Sequence, residues 1–167
     1  HDFLGELIAE DLICNLSRLT DLFVISRLST TRFRDRLYDS RNVAEVLGVR
    51  YVVSGSIHAQ GSRLVLTAEL TDAEPGQVLW SDKLFQGSMA EFFDIQDQLS
   101  VHIATLVVPY IRNRELQRVR AKRPENLTAY ERTLRAVDHF HRSSQQDMKE
   151  ARTMLEAAIA ADPAYAA

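Results

Sequence analysis

The side chains that could do chemistry are few and scattered. Ser54-Gly55-Ser56 has the outline of a nucleophile turn. A nucleophile elbow needs a second glycine and a strand-to-helix turn, whereas this tripeptide lies inside a β-patterned run and reads as strand. His139 and His141 could ligate a metal ion. Two residues apart on a helix they point to different faces, and no cysteine or carboxylate stands at ligand spacing from them, so they read as surface or packing histidines. Asp94 and Asp97 are one helical turn apart, a spacing that suits a shared cation or an acid/base pair. Near a helix amino terminus the dipole alone favours such carboxylates, and the structural reading is preferred. His58 lies on the wetter side of its strand, where it is either a pH-sensitive contact or an ordinary strand histidine. Trp80, the single tryptophan, is a ligand platform or, by preference, core. The run over 112–123 carries Arg112, Arg114, Arg118, Arg120, Lys122 and Arg123 against Glu115 alone. It is the best candidate binding surface, for nucleic acid, an acidic partner or a membrane. Without aromatics, it reads first as a solvated linker helix. The six glycines build neither a phosphate loop nor a dinucleotide fingerprint. No catalytic, cofactor-binding or metal site is therefore assigned.

Composition narrows the classes further. A chain of 167 residues supports one domain, or one domain and a small appendage. A net charge of −3 argues against a chain built to coat nucleic acid. Cys14 is the one cysteine, which excludes an intrachain disulfide framework and a cysteine-rich metal site. No apolar run reaches the roughly 18–20 residues of a membrane helix. The start at His1-Asp2-Phe3 has no leader pattern, and no methionine opens the chain. Both ends read as cut, so the chain is expected to be a piece of a longer protein, with room for a membrane anchor or catalytic domain outside it.

The elements that must position these residues follow from periodicity. Leu4, Leu7, Ile8, Leu12, Leu16 and Leu19 recur at helical spacing over 3–19. The apolar run over 22–25 reads as a strand covered on both faces. Residues 42–47 suit a short helix ended by Gly48. Helix, strand, helix, strand implies crossover connections and a partly parallel sheet. Three β-patterned runs follow, with turns at Gly61-Ser62 and Pro75-Gly76, making an antiparallel meander. In the first, Tyr51, Val53, Ile57 and Ala59 alternate with Ser54, Ser56 and His58. Gly55 interrupts that strand and suggests a bulge or a close backbone approach. Ser88 and Glu91 form a capping-box pair before a helix that starts at Met89. Pro109 should kink or end that helix, and Pro124-Glu125-Asn126 reads as a hinge. Thr128 and Glu131 cap a further helix, and the last helix runs from about 147 to 161.

Two resemblances rest on specific residues. Glu10-Asp11-Leu12-Ile13, Ile25-Ser26-Arg27, Leu47-Gly48-Val49-Arg50-Tyr51, Ser54-Gly55-Ser56-Ile57, Leu70-Thr71-Asp72-Ala73, Leu79-Trp80-Ser81 and Phe93-Asp94-Ile95-Gln96-Asp97 occur in that order. Over about 3–112 the chain resembles the TolB-like amino-terminal (FlgO-like) domain. That resemblance implies an apolar strand before the first helix, which the chain lacks, and a regulatory, non-catalytic role. It also implies an output domain elsewhere in the polypeptide, either a class III adenylate/guanylate cyclase or a winged-helix transcriptional regulator. Ala151, Leu155, Ala158 and Pro163 fall at the small, large, small and proline positions of a tetratricopeptide repeat, so the last helices resemble the first pair of such an array.

The expected fold is α/β, a mixed, partly parallel sheet with helices on at least one face, followed by an all-α tetratricopeptide-like extension. The expected domains are 1–112, with its first strand missing, and 113–167. The expected function is a non-enzymatic regulatory or protein-interaction module of a larger bacterial signalling protein. Its partner would be a protein or a second copy of the chain, with nucleic acid disfavoured. The alternative is a small-molecule sensor with a pocket at the carboxyl ends of the parallel strands. Arg27, Ser29, Ser54, Ser56 and His58 are the candidate surface for either. An enzyme is the third class and would need titratable groups converging in one cleft. The cytoplasm is the expected compartment, with the periplasm as the alternative if the full chain spans a membrane.

Overall fold

The computed structural model describes residues 2–19, 22–34 and 38–166. His1 and Ala167, on which the expectation of cut ends rested, lie outside the described residues. The chain divides into two compact units, His1–Tyr110 and Ile111–Ala167.

The first unit opens with α1 (Asp2–Ser17), a four-residue turn of helix α2 (Arg27–Thr30), and α3 (Ser40–Leu47). Asp39 caps α3 by accepting from the Arg41 amide, and Gly48 ends it in the left-handed region at φ 66°. Then come β1 (Tyr51–Gln60), β2 (Arg63–Asp72) and β3 (Gln77–Gly87). They form an antiparallel sheet in the order β1-β2-β3. The helix α4 (Met89–Ala121) follows and supplies residues to both units.

Register explains the burial. Leu64, Leu66, Ala68 and Leu70 on β2 stand opposite Ala59, Ile57, Gly55 and Val53 on β1. Cross-strand partners share a face, so these residues lie on the core side, where the β2 residues are buried while Gly55 and Ala59 on the edge strand stay exposed. Leu4, Ile8, Leu12 and Leu16 of α1 and Phe92, Leu99, Ile103 and Val107 of α4 are also buried. Phe85 on β3 meets Phe92 edge-on, with ring centroids 5.5 Å apart, and Asn15 donates to Ser100 at 3.0 Å, tying α1 to α4. Each of the large apolar side chains so buried contributes roughly 1.5–3 kcal/mol. The opposite face of the sheet is polar. There the Ser56 and Thr67 hydroxyls lie 2.9 Å apart, and Ser54 donates to Glu69 at 3.4 Å.

The expected mixed, partly parallel α/β sheet is overturned. The sheet has three antiparallel strands, and among the described residues no parallel pair occurs. The run over 22–25 forms no strand, and Phe23 is 91% exposed. A short apolar run cannot be assigned by periodicity alone, and here no neighbouring strand bonds its backbone. The pocket expected at the carboxyl ends of parallel strands loses its basis with them. Of the two outcomes expected at Pro109, a kink or an end, the end does not occur, because α4 continues through it. The ring removes the donor to the Thr105 carbonyl, but both residues are exposed, so water can reach that oxygen.

The second unit holds the end of α4, then α5 (Ala129–Arg142) and α6 (Gln145–Ala161). Thr128 and Glu131 form a reciprocal capping box on α5. Ser143 turns the chain in the left-handed region at φ 59°, and Ser144 caps α6 by accepting from the Asp147 amide. Ala136, Ala151 and Ala158 are buried, and their small side chains let α5 and α6 approach closely.

Candidate functional site

Arg50 and Asp72 form the most constrained polar centre of the first unit. Arg50 immediately precedes β1 and Asp72 ends β2, and the register sets Asp72 opposite Tyr51. Asp72 is fully buried, and Arg50 meets it with Nε–Oδ1 and Nη2–Oδ2 both at 3.0 Å. Only the Nη2–Oδ2 contact has hydrogen-bond geometry; Nε and Oδ1 are close enough for charge attraction but are misaligned for a second bond. The third guanidinium nitrogen meets Glu74, while the Arg50 carbonyl accepts from the Ala73 amide at 2.9 Å. Arg41 of α3 donates to the Glu74 carbonyl at 3.2 Å. A hollow of about 360 Å³ opens here, lined by Arg41, Glu45, Val49, Arg50 and Glu74 among others. Arg50 is shared by Asp72 and Glu74, and with the Arg41 bond the centre fastens α3 and β1 to the β2–β3 turn.

The five residues expected to form one surface fall into two groups. Ser54, Ser56 and His58 share the polar face of β1. Ser54 and Ser56 bond across to β2, and His58 is exposed. Arg27 and Ser29 belong to α2, where Arg27 lies 3.7 Å from Glu10 of α1 and the Ser29 hydroxyl 3.4 Å from that of Ser26. Among the described residues no hydrogen bond or ion pair links the two groups. Trp80 is partly buried opposite Leu70. Asp97 borders a second hollow with Gln98, Val101, His102 and Thr105.

Arg118, Arg120 and Lys122 of the basic run form ion pairs. Arg118 bonds Glu115 at 2.6 Å, Arg120 meets both oxygens of Asp138 at 2.8 and 2.7 Å, and Lys122 bonds Glu131. Burial alone would raise the Asp138 and Glu131 carboxyls. The Arg120 and Lys122 hydrogen bonds overcome it and hold both below the ordinary carboxylate range.

The packing positions of α6 separate by burial. Ala151 and Ala158 are buried, whereas Leu155 and Pro163 are exposed. Sequence reasoning missed the surroundings of His139. The chain reversal at Ser143 brings α6 back along α5, so Asp147 and Glu150 face His139 at 2.9 and 3.4 Å. His141 instead lies beside Phe140, with ring centroids 6.3 Å apart. The signal was present as a histidine at 139 and carboxylates at 147 and 150 across a two-serine break, but it needs the hairpin to be read.

No helix is long and apolar enough to cross a membrane among the described residues. No solved structure matches the chain. A protein of Rhizobium meliloti (strain 1021) named "Putative adenylate cyclase 3" is 29% identical over 165 residues, 99% of this chain. The chain spans 28% of that relative's length. The family model that matches carries neither the TolB-like (FlgO-like) nor the tetratricopeptide name. It covers residues 2–102 and describes the second domain of HilA/YgeH-like transcriptional regulators. The first unit's helices and antiparallel sheet fall almost wholly within that match, and the chain belongs to the HilA/YgeH-like transcriptional regulator family, as its second domain.

Proposed function

We propose that this chain is a non-enzymatic regulatory module of a longer signalling polypeptide, which binds a protein partner and passes that event to a separate output domain. The observation that carries this reading is the outer edge of β1, which pairs with no strand among the described residues. An edge strand offers its free backbone groups to a strand of another chain. Ser54, Ser56 and His58 flank that edge and would supply its side-chain selectivity. The shared descent with a regulator domain supports a regulatory role, and the likeness to a protein named as a cyclase supports a place in a signalling polypeptide. The output domain is then a transcriptional or a cyclase domain beyond the matched segment, and the cytoplasm is the compartment that suits either. Partner binding biases one of two arrangements, and only its differential affinity can drive the shift.

In the same reading, residues 1–112 are the binding domain and 113–167 the linker helix and first tetratricopeptide-like pair. Val137, Phe140, Leu155 and Ile159 are exposed apolar residues on α5 and α6. A following helix pair of the longer polypeptide would cover such residues, because one repeat cannot bury its own face. The hollow beside Arg41, Arg50 and Glu74 supports a second reading, a small polar ligand held there.

The test is made in the full-length protein. Ser54→Lys places a long charge on the edge, beside Glu69, where it blocks strand addition without crowding the core. The expected result is loss of regulation with the output domain's basal activity intact. Unchanged regulation in Ser54→Lys, with regulation lost in Arg41→Ala, would replace the partner reading with the ligand reading.

A further inference from the structure

His139, Asp147 and Glu150 form a built cluster in the turn between α5 and α6. One atom from each lies within 4.8 Å of the others. His139 and Asp147 are mostly buried, and Glu150 is half-exposed. Both carboxylates address the same imidazole nitrogen. Asp147 Oδ1 is 2.9 Å and Glu150 Oε2 is 3.4 Å from His139 Nδ1. That nitrogen can carry one proton, which makes one good hydrogen bond, so a second carboxylate on the same atom is poorly served by a proton alone.

The remaining oxygens are held from behind. Asp147 Oδ2 accepts from the Ser144 hydroxyl, and Glu150 Oε1 accepts from Gln146 Nε2 at 2.9 Å. Outer donors of this kind orient carboxylates that ligate a metal. The two separations from His139 Nδ1, 2.9 and 3.4 Å, fit as well. Bonds of about 2.0–2.1 Å put neighbouring ligand atoms roughly 3.3 Å apart on a tetrahedral ion and roughly 2.9 Å apart on an octahedral one.

We propose that His139, Asp147 and Glu150 form a binding site for a divalent first-row transition-metal ion of the zinc, cobalt or nickel type. The imidazole selects these ions over magnesium and calcium, which prefer all-oxygen sites. His139 Nδ1 gives its lone pair to the ion, with its proton on Nε2, and each carboxylate gives one oxygen. Three protein ligands leave a fourth position for water. The ion joins α5 to α6 across the Ser143–Ser144 reversal and so stabilises the helical hairpin. The site stands apart from the partner-binding reading above and does not depend on it.

The test uses the whole chain with Cys14→Ser, which removes the exposed thiol as a competing ligand. Zinc is titrated by calorimetry, and melting is followed with and without it. The expected result is one ion per chain and a rise in melting temperature. Glu150→Gln, on a half-exposed side chain, weakens binding about 10-fold or more. His139→Ala abolishes it, while His141→Ala leaves it unchanged. The proposal is overturned if zinc shows no saturable binding up to about 1 mM. It is equally overturned if His139→Ala and Glu150→Gln bind as the parent does, or if His141→Ala loses the ion.

Discussion

A methyl group added to Gly55 would stand 2.9 Å from the Thr67 carbonyl oxygen. The obstruction is backbone, so it cannot swing away. Gly55→Ala is expected to cost about 1–3 kcal/mol, read from urea unfolding. Asp72 has no exposed surface, and its carboxylate accepts from Arg50 Nη2 with Nε close by. Asp72→Ala takes away the buried partner but leaves the partly exposed Arg50 its contact with Glu74, an expected loss of about 1–3 kcal/mol in the same measurement. An unchanged unfolding midpoint would show that the pair is dispensable. The two residues were not equally legible. Gly55 announced itself by interrupting a β pattern. The Arg50–Asp72 pairing depends on the β1–β2 register, which brings residues 22 apart into contact. The His139 cluster was hidden for the same reason, because its carboxylates come from the next helix.

Local signals read best at the scale of elements. Both capping boxes, Ser88 with Glu91 and Thr128 with Glu131, form as their spacing requires. The Gly48 cap and the three-strand meander also follow from neighbouring residues. The run over 22–25 did not, since a strand exists only through a partner that composition does not reveal. Glu131 gives α5 a measurable acid dependence. Folding lowers its pKa, so its stabilisation is full above the unfolded value of about 4.3 and is lost as pH falls through the lower folded value. Glu131→Gln should flatten the acid limb of the helical unfolding curve, followed by far-UV circular dichroism. Thr128→Ala removes the other half of the box and should cost about 1 kcal/mol. An acid limb that keeps its slope in Glu131→Gln would assign the transition to other carboxylates.

For the molecule as a whole, the one tryptophan is a convenient reporter. Trp80 lies in β3, inside the first unit, whereas helicity reports both units. If the units are separate domains, urea curves from tryptophan fluorescence and far-UV dichroism should not coincide. Lys122→Ala should move the helical transition and leave the fluorescence midpoint in place. Coincident curves that shift together would mean a single cooperative block. The helix α4 bears on that outcome through its proline. Pro109 removes one rung from a 33-residue hydrogen-bond ladder, and does so one residue before the boundary between the units. Amide deuterium exchange follows local opening, so α4 should exchange as two populations. The amides around Ile103 and Val107 would follow the sheet, and those around Val119 would follow the α5–α6 hairpin. One helix would then hold two melting histories, and the missing rung would mark where the first ends.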